Sequence, residues 1–173
     1  MNIALIGMRG SGKTVVGRLL AERLGKQFVE MDELIVRKAR MSIPEIVERY
    51  GWDKFRDIEE EVTREVVVLD NVVNATGGGV VTRENNVKEL RKTGKLAWLE
   101  VSLDTLLRRI GDDPSRPSLT GKSRRDDMEV VLTERSPIYQ QAADFSVDTE
   151  GKKPEAIAEE IIDRMQKEGL LDD

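Results

Sequence analysis

One glycine-rich segment near the start of the chain constrains its fold more than any other feature. Residues 7–14 read G-M-R-G-S-G-K-T and complete the pattern G-x4-G-K-[ST]. An apolar run at residues 3–6 precedes the segment, and a stretch with helical spacing at residues 15–24 follows it. Such a strand–loop–helix unit cradles phosphate groups with backbone N–H groups at a helix N-terminus. A turn that merely happens to be glycine-rich is the alternative, but the complete and correctly flanked motif favours a nucleoside triphosphate as the ligand.

A few residues of this loop carry its chemistry. Lys13 is placed to reach the β- and γ-phosphates, and the hydroxyl of Thr14 is placed to bind Mg²⁺. Glycine adopts backbone conformations that a side chain forbids, so the loop can turn successive N–H groups inward. The residues that we expect to hold the nucleotide here are Gly10, Ser11, Gly12, Lys13 and Thr14.

Short apolar runs alternate with stretches of helical spacing along most of the chain. The runs after the first one cover residues 27–30, 72–75, 96–101 and 145–147. Strands that alternate with helices predict an α/β fold with a parallel sheet covered on both faces. Helical spacing is clearest at residues 15–24, at residues 53–69 and in a last helix that Pro154 opens.

Two stretches do not fit a simple alternation of strands and helices. Residues 31–71 hold two or three helical segments and no strand, which is more than one crossover needs, so we expect part of this stretch to stand away from the sheet as a lobe. Residues 111–125 combine glycine, proline and charge with almost no apolar content. We expect this second stretch to be a mobile cover over the phosphates.

Composition narrows the chemistry. The chain has 173 residues, which suits one domain, and its net charge is only −5 with both signs interspersed, so we expect no nucleic-acid partner. The sequence has no histidine and no cysteine, which removes the commonest general base, the Ser-His-Asp and Cys-His systems, and zinc sites built from these residues. Strand-like residues begin at residue 3 and no apolar run approaches 18 residues, so we expect a cytoplasmic protein without a membrane partner.

Two carboxylates follow the second apolar run. We predict that the second strand ends with residues 28–32, F-V-E-M-D, so that Glu30 and Asp32 point the same way at the carboxyl edge of the sheet, where ligands bind. One carboxylate could lie near Mg²⁺ while the other accepts a proton from a substrate hydroxyl. The alternative is a solvated strand end, or a helix N-cap at Asp32.

Arginines and glycines farther along the chain indicate an anionic acceptor. Arg56 and Glu59 are neighbours on one helical face, where the carboxylate could orient the guanidinium for a bidentate contact; a surface ion pair is the alternative. Arg116 and Arg135 could each be a solvated charge, but near the phosphate loop they could neutralise a transferring phosphoryl group. A run of three glycines follows the third strand and indicates close approach of the backbone to a ligand: Gly77, Gly78 and Gly79.

Taken in order, these segments resemble the shikimate kinase family, whose members use ATP to phosphorylate the 3-hydroxyl of shikimate in aromatic amino-acid biosynthesis. The resemblance covers nearly the whole chain, to about residue 165. A phosphate loop alone fits hundreds of activities, but the ordered set of motifs is much more specific. That set includes the loop, the carboxylate pair, the segment G-W-D-K-F-R at residues 51–56, the glycine run, Arg116 with Pro117, and Arg135 ahead of Pro137 and Tyr139.

The resemblance implies a single P-loop kinase domain, residues 1–173, of the nucleoside-monophosphate-kinase type. Its five-stranded parallel sheet would form the middle of three α/β/α layers. The implied parts are a core at residues 1–30 and 70–110, a helical substrate-binding lobe at about residues 31–60, a lid at about residues 111–124 and a C-terminal helix at about residues 154–168.

The resemblance also implies roles for single residues. Arg56 and Arg135 would hold the carboxylate of shikimate, and Asp32 would contact its hydroxyls and could act as the base. The residues implied in acceptor binding are Asp32, Arg56, Glu59, Gly77, Gly78, Gly79 and Arg135; those implied in catalysis are Lys13, Asp32 and Arg116. Arg116 would descend with the lid onto the phosphates, Arg109 and Pro154 would sandwich adenine with Lys152 nearby, and Thr14 and Glu30 would serve Mg²⁺.

Two positions depart from the pattern of the family. The first carboxylate of the pair is usually aspartate and here is Glu30, so its contact with Mg²⁺ could run through water. Ser118 precedes Leu119 where the family commonly has two leucines, which could weaken lid packing. The alternatives to a shikimate kinase are a related kinase with gluconate or a nucleotide as acceptor, and a nucleotide-binding module that has lost turnover. In either enzymatic case we expect a monomer whose partners are small molecules.

Overall fold

A five-stranded parallel sheet forms the centre of the molecule, as predicted. The computed structural model describes residues 1–110 and 123–171. Within them the strands run in the order β2-β3-β1-β4-β5, and every neighbouring pair is parallel. The strands are β1 (Asn2–Ile6), β2 (Gln27–Glu30), β3 (Val72–Ala75), β4 (Gly94–Glu100) and β5 (Phe145–Asp148). The apolar runs of the sequence therefore match the strands to within about two residues at each end.

Helices cover both faces of the sheet. They are α1 (Lys13–Leu24), α2 (Met31–Ala39), α3 (Ile43–Val67), α4 (Glu84–Thr93), α5 (Leu103–Ile110), α6 (Arg124–Ala142) and α7 (Pro154–Lys167), with a short 3₁₀ helix at Val80–Thr82. The central strand β1 is buried throughout, and its side chains alternate between two apolar cores. Ile3 and Leu5 face the core formed with α1 and α7, whereas Ala4 and Ile6 face the core formed with α2, α3 and α6. This burial on both faces is typical of a parallel sheet.

Residues 31–71 hold two helices and no strand, in agreement with the sequence. The longer of the two, α3, is bent at Gly51, whose φ of 85° and ψ of 171° are not helical. Ser42 caps its start by accepting a hydrogen bond from the N–H of Glu45. The bend separates a first arm from a second arm that begins with Trp52 and carries Arg56 and other residues of the site.

The predicted lid falls largely outside the described residues, and so do Arg116, Pro117 and Ser118. The irregular stretch ends earlier than predicted, because Ser123 is the N-cap of α6 and Arg124 already lies in that helix. Ser123 accepts a hydrogen bond from the N–H of Asp126, which stabilises this start. Within residues 1–110 and 123–171, no helix combines the length and the apolar content needed to cross a membrane.

Candidate active site

The loop between β1 and α1 has the backbone shape of a phosphate-binding loop. Gly7, Gly10 and Gly12 have φ values of 144°, 81° and 98°, in the region that favours glycine. The loop folds around its own lysine, since the Lys13 ammonium donates hydrogen bonds to the carbonyl oxygens of Gly7 at 2.5 Å and Met8 at 2.9 Å. The buried ammonium of Lys13 therefore adds its positive charge to that of the N-terminus of α1, which begins at the same residue.

A cavity of about 520 Å³ adjoins this loop, and we call it the large cavity. It is bounded by the loop and the start of α1, the junction of β2 and α2, the segment after β3, and the end of α5. The side chains and glycines that line it include Lys13, Thr14, Glu30, Asp32, Gly77, Gly78 and Arg109. Residues from four separate parts of the chain thus meet at the carboxyl edge of the sheet, where open α/β folds bind ligands.

Glu30, at the end of β2, and Asp32, in the first turn of α2, both line the large cavity, but not in the way predicted from the sequence. The prediction that β2 extends through Asp32 is wrong, because the strand ends at Glu30 and Met31 begins α2. Glu30 keeps extended dihedral angles as the N-cap residue, while Asp32 lies in the first helical turn, where a negative charge is favourable. The two side chains reach the same cavity across a strand-to-helix boundary rather than along one strand.

The surroundings of Glu30 fit a bound divalent cation. Burial raises the pKa of the Glu30 carboxyl, and the nearby charges of Glu33 and Asp32 raise it further, against smaller opposite effects of Arg18 and the Thr14 hydroxyl. Thr14, Glu30 and Asp32 supply only oxygen ligands. Among the described residues no group of three or more His, Cys, Asp or Glu side chains forms a metal cage. Mg²⁺ needs none, since it is usually bound by one or two carboxylates together with substrate phosphates and water.

A second cavity of about 40 Å³, the small cavity, shares Arg9 and Gly78 with the large one. Arg56 from α3 and Arg135 from α6 both line it, although they are far apart in the sequence. The remaining lining residues are Met8, Trp52, Gly79, Asp127, Met128 and Val131. The structure therefore brings together Arg56 and Arg135, two of the arginines that the sequence singled out, and places them next to the phosphate loop.

Arg56 belongs to a buried ion pair. Its Nη1 lies 2.9 Å from Oε1 of Glu59, and the two side chains are only 14% and 1% exposed. The guanidinium also lies over the rings of Trp52 and Phe55, at 5.6 and 5.1 Å from their centroids. A surface ion pair, the alternative left open by the sequence, is excluded, and the contacts fix the plane of the guanidinium.

The glycine run after β3 is explained by the side chains that crowd it. A Cβ on Gly79 would collide with the guanidinium of Arg56, and a Cβ on Gly77 would lie 2.8 Å from Oε2 of Glu59. None of the three glycines has a left-handed φ. The sequence indicated close approach of this backbone to a ligand; in the structure the backbone approaches the side chains of the site and also lines both cavities.

The residues expected around adenine are only partly brought together. Arg109, near the end of α5, lines the large cavity and donates a hydrogen bond to the carbonyl oxygen of Gly10 at 3.2 Å. Lys152 and Pro154 are not among the described residues that line this cavity. Lys152 instead bonds Glu160 at 2.9 Å, and Pro154 opens α7.

Two charged residues that line the cavities were not identified from the sequence. Arg9 lies inside the phosphate-loop motif, but at a position where the motif accepts any residue. Asp127 is a buried carboxylate in the first turns of α6 and lines the small cavity. Only the unusual charge of Arg9 within a glycine-rich loop could have pointed to it.

The fold and these two adjoining cavities define a P-loop kinase that acts on a small molecule. The family model described as shikimate kinase matches residues 9–166. The shikimate kinases of Thermodesulfovibrio yellowstonii and Moorella thermoacetica are 42% and 43% identical to this chain, over 96% and 95% of it and 95% and 94% of their own lengths. The chain belongs to the shikimate kinase family.

Solved structures agree with this assignment. The structure of shikimate kinase from Acinetobacter baumannii in complex with shikimate is 34% identical, with a TM-score of 0.94, and the match covers 98% of this chain and 95% of that one. The crystal structure of shikimate kinase from Aquifex aeolicus is also 34% identical, with a TM-score of 0.86, over 98% and 99% of the two chains. The described fold is thus that of a shikimate kinase along nearly its whole length.

Proposed function

We propose that this protein transfers the γ-phosphoryl group of ATP to the 3-hydroxyl of shikimate and forms shikimate 3-phosphate. Membership of the family supports ATP as co-substrate, and a relative of nearly identical fold is solved with shikimate. One observation of this chain carries the proposal most directly. Arg56 and Arg135 come from different helices and line one small cavity beside the phosphate loop.

These two arginines would bind the carboxylate of the acceptor. A guanidinium presents parallel N–H donors to a carboxylate, and Glu59 holds that of Arg56 in one orientation. Burial lowers the pKa of Arg135, and the charge of Arg56 lowers it further, against the opposing effects of Tyr139 and Glu59. Two cations that raise one another's energy in a buried site would be stabilised by an anionic ligand between them.

The phosphates of ATP would lie in the large cavity. The N–H groups of the loop, the N-terminus of α1 and the ammonium of Lys13 all present positive charge there. Arg109 would lie on the nucleotide side, at the end of α5. We place Arg116 on the phosphates as well, by analogy with the family, although it lies outside the described residues.

Thr14 and Glu30 are the residues that would hold Mg²⁺, with Glu30 in contact directly or through water. Bound with ATP, the ion would neutralise charge on the phosphates. Asp32 would orient the 3-hydroxyl and accept its proton, while the hydroxyl oxygen forms a bond to the γ-phosphorus and the bond to the β–γ bridging oxygen breaks to release ADP. Positioning and electrostatics carry most of such a transfer, which suits a chain without histidine or cysteine.

The test is an assay of ADP release with shikimate, gluconate or a nucleoside monophosphate as acceptor, each with and without Mg²⁺. We expect release that depends on both shikimate and Mg²⁺, and ³¹P NMR of the product should show the phosphate on the 3-oxygen. ADP release with gluconate or with the nucleoside monophosphate, but not with shikimate, would contradict the proposed acceptor. We further propose that the enzyme is a monomer and that it acts in the cytoplasm. Gel filtration of the same sample tests the first of these two proposals.

A further inference from the structure

We propose that Tyr139 is a positioning residue for the acceptor, because it fixes both Gly78 and Arg135 on the wall of the small cavity. The proposal rests on the proposed function, since it assigns Tyr139 to the binding of shikimate. Tyr139 is not among the described residues that line either cavity. It would therefore act through the two residues that it holds.

The hydroxyl of Tyr139 ties α6 to the phosphate-loop side of the site. The side chain is fully buried, and its O–H donates a short hydrogen bond to the carbonyl oxygen of Gly78. The same hydroxyl lies 3.7 Å from the sulfur of Met8, at the start of the loop. The ring lies against Trp98 of β4, with centroids 5.7 Å apart and an angle of 31° between the planes. The phenol thus has one well-defined place among three separate segments.

Arg135 lies one helical turn before Tyr139 and approaches the same glycine. A Cβ on Gly78 would lie 3.4 Å from Nη1 of Arg135, so the guanidinium is close to this backbone. Tyr139 also opposes the loss of charge that burial imposes on Arg135. The two side chains of α6 therefore meet at Gly78, one on its carbonyl oxygen and the other beside its Cα.

The helix itself constrains this region weakly. Pro137 lies inside α6, between Arg135 and Tyr139, and a proline removes one backbone hydrogen bond from a helix. Because the backbone ladder is interrupted there, the direction of the Arg135 side chain depends more on tertiary contacts. The bond from Tyr139 to Gly78 is such a contact, and it lies directly behind the cavity wall.

The phenol of Tyr139 remains protonated, and so remains a hydrogen-bond donor, at neutral and mildly alkaline pH. Burial raises the pKa of Tyr139 to about 12, although the charges of Arg135 and Arg56 lower it. Its bond to Gly78 is therefore not lost by ionisation at neutral or mildly alkaline pH.

The variant Tyr139→Phe removes the hydroxyl and keeps the ring. We expect the KM for shikimate to rise roughly 5- to 10-fold, the effect of losing one buried hydrogen bond, with KM for ATP and kcat nearly unchanged. Tyr50→Phe is the matched control, since Tyr50 is an exposed tyrosine of α3 outside both cavities, and it should leave all three constants unchanged. A lower melting temperature is expected under either role, because the buried carbonyl oxygen of Gly78 loses its donor. A merely structural role would reduce activity by the same factor at every shikimate concentration and leave the KM for shikimate normal, and that pattern would overturn the proposal.

Two further measurements separate the possible failures. If wild-type protein releases no ADP with shikimate, the proposed function is wrong; if it does and Tyr139→Phe has a normal KM for shikimate, only the role of Tyr139 is wrong. A crystal structure of Tyr139→Phe reports on the role whatever the acceptor is. We expect Gly78 or the guanidinium of Arg135 to move by more than about 0.5 Å, enough to spoil a binding geometry, and unchanged positions would contradict the proposal.

Discussion

Single residues of the site are held by partners that oppose their charge. Arg56 shows this most clearly, because Glu59 neutralises it inside a region that water hardly reaches. Removing one member of a buried pair leaves an uncompensated charge, whereas the intact pair adds little net stability. The value of the Arg56–Glu59 pair therefore lies in the fixed direction of the guanidinium toward the small cavity.

This arrangement predicts a kinetic effect of Arg56→Ala that is confined to the acceptor. We expect the KM for shikimate to rise at least about tenfold, since a charge-assisted contact to the carboxylate is lost, while the KM for ATP changes little. Arg49→Ala is the control, because Arg49 lies on the exposed surface of the same helix. Steady-state kinetics with each substrate varied in turn give the answer, and a normal KM for shikimate would contradict the carboxylate contact.

Glu30 gives a prediction about pH. Its raised pKa means that the folded protein binds a proton more tightly here than the unfolded chain does. Stability therefore falls as pH rises from the ordinary value of 4.5 through the raised value, and the ionised carboxylate destabilises the fold at higher pH. Glu30→Gln should melt at a higher temperature than wild type at pH 7, and the difference should vanish below about pH 4.5.

Melting curves of wild type, Glu30→Gln and the exposed control Glu48→Gln over this pH range test the prediction. Addition of MgATP at pH 7 should stabilise wild type more than Glu30→Gln, because the cation would offset the charge of the carboxylate. If Glu30→Gln melts at the same temperature as wild type at pH 7, or at a lower one, the ionised carboxylate of Glu30 does not destabilise the fold.

Among the secondary-structure elements, α3 does most to position the acceptor site. Its second arm carries Trp52, Phe55, Arg56 and Glu59, and the bend at Gly51 sets the direction of that arm. The dihedral angles of Gly51 are open essentially only to glycine. A change in this one residue should therefore alter the position of the whole arm.

The variant Gly51→Ala should lower the free energy of unfolding by about 1–3 kcal/mol, the usual cost of such a backbone conformation for a residue with a side chain. A Cβ here meets no atom within 4 Å, so the effect reports backbone strain alone. Urea unfolding measures this loss, and we also expect a higher KM for shikimate. Gly151→Ala is the control, because Gly151 also has a left-handed φ but lies outside both cavities; it should lower stability and leave the KM for shikimate unchanged. An equal change of this KM in both variants would argue against a positioning role of the bend.

The elements show how far the sequence predicts the fold. Strand β1 is apolar at nearly every position because both of its faces are buried, so its pattern is visible without any structure. The predicted end of β2 at Asp32 is wrong, because the strand ends at Glu30, where its pairing with the neighbouring strand β3 ends at Ala75. The sequence of β2 alone does not show where this pairing stops. The sequence predicts a helical segment from residue 53, close to the second arm of α3, but it gives no sign of the dihedral angles of Gly51 that set the direction of the bend.

The site follows the same rule. The phosphate loop and the Arg56–Glu59 pair depend on residues that are close in sequence, and both were predicted. Tyr139 contacts Met8, 131 residues earlier, and only the folded chain brings them together. No local pattern encodes a contact over that distance.

In the molecule as a whole, the two cavities are not independent. Arg9 and Gly78 line both, so a ligand that contacts either residue touches a wall that the two cavities share. We expect ADP with Mg²⁺ to tighten the binding of shikimate at least about fivefold, within the usual range of coupling between sites. Thermodynamic linkage then requires shikimate to tighten ADP by the same factor.

Isothermal titration calorimetry of each ligand in the absence and presence of the other measures both factors. Unequal factors would indicate that a third process accompanies binding. If neither dissociation constant changes when the other ligand is present, the shared wall does not couple the two binding sites.

The common wall at Arg9 and Gly78 also has a consequence for inhibitor design. A compound that tethers a nucleotide to a hydroxylated carboxylic acid could occupy both cavities at once, because Arg9 and Gly78 line both of them. With a tether of matching span, the second half would bind at a high effective concentration, so its affinity could exceed that of either half by orders of magnitude. Selectivity over other P-loop enzymes would come from the acid end, since many of them share the nucleotide cradle but not the pair of guanidinium groups.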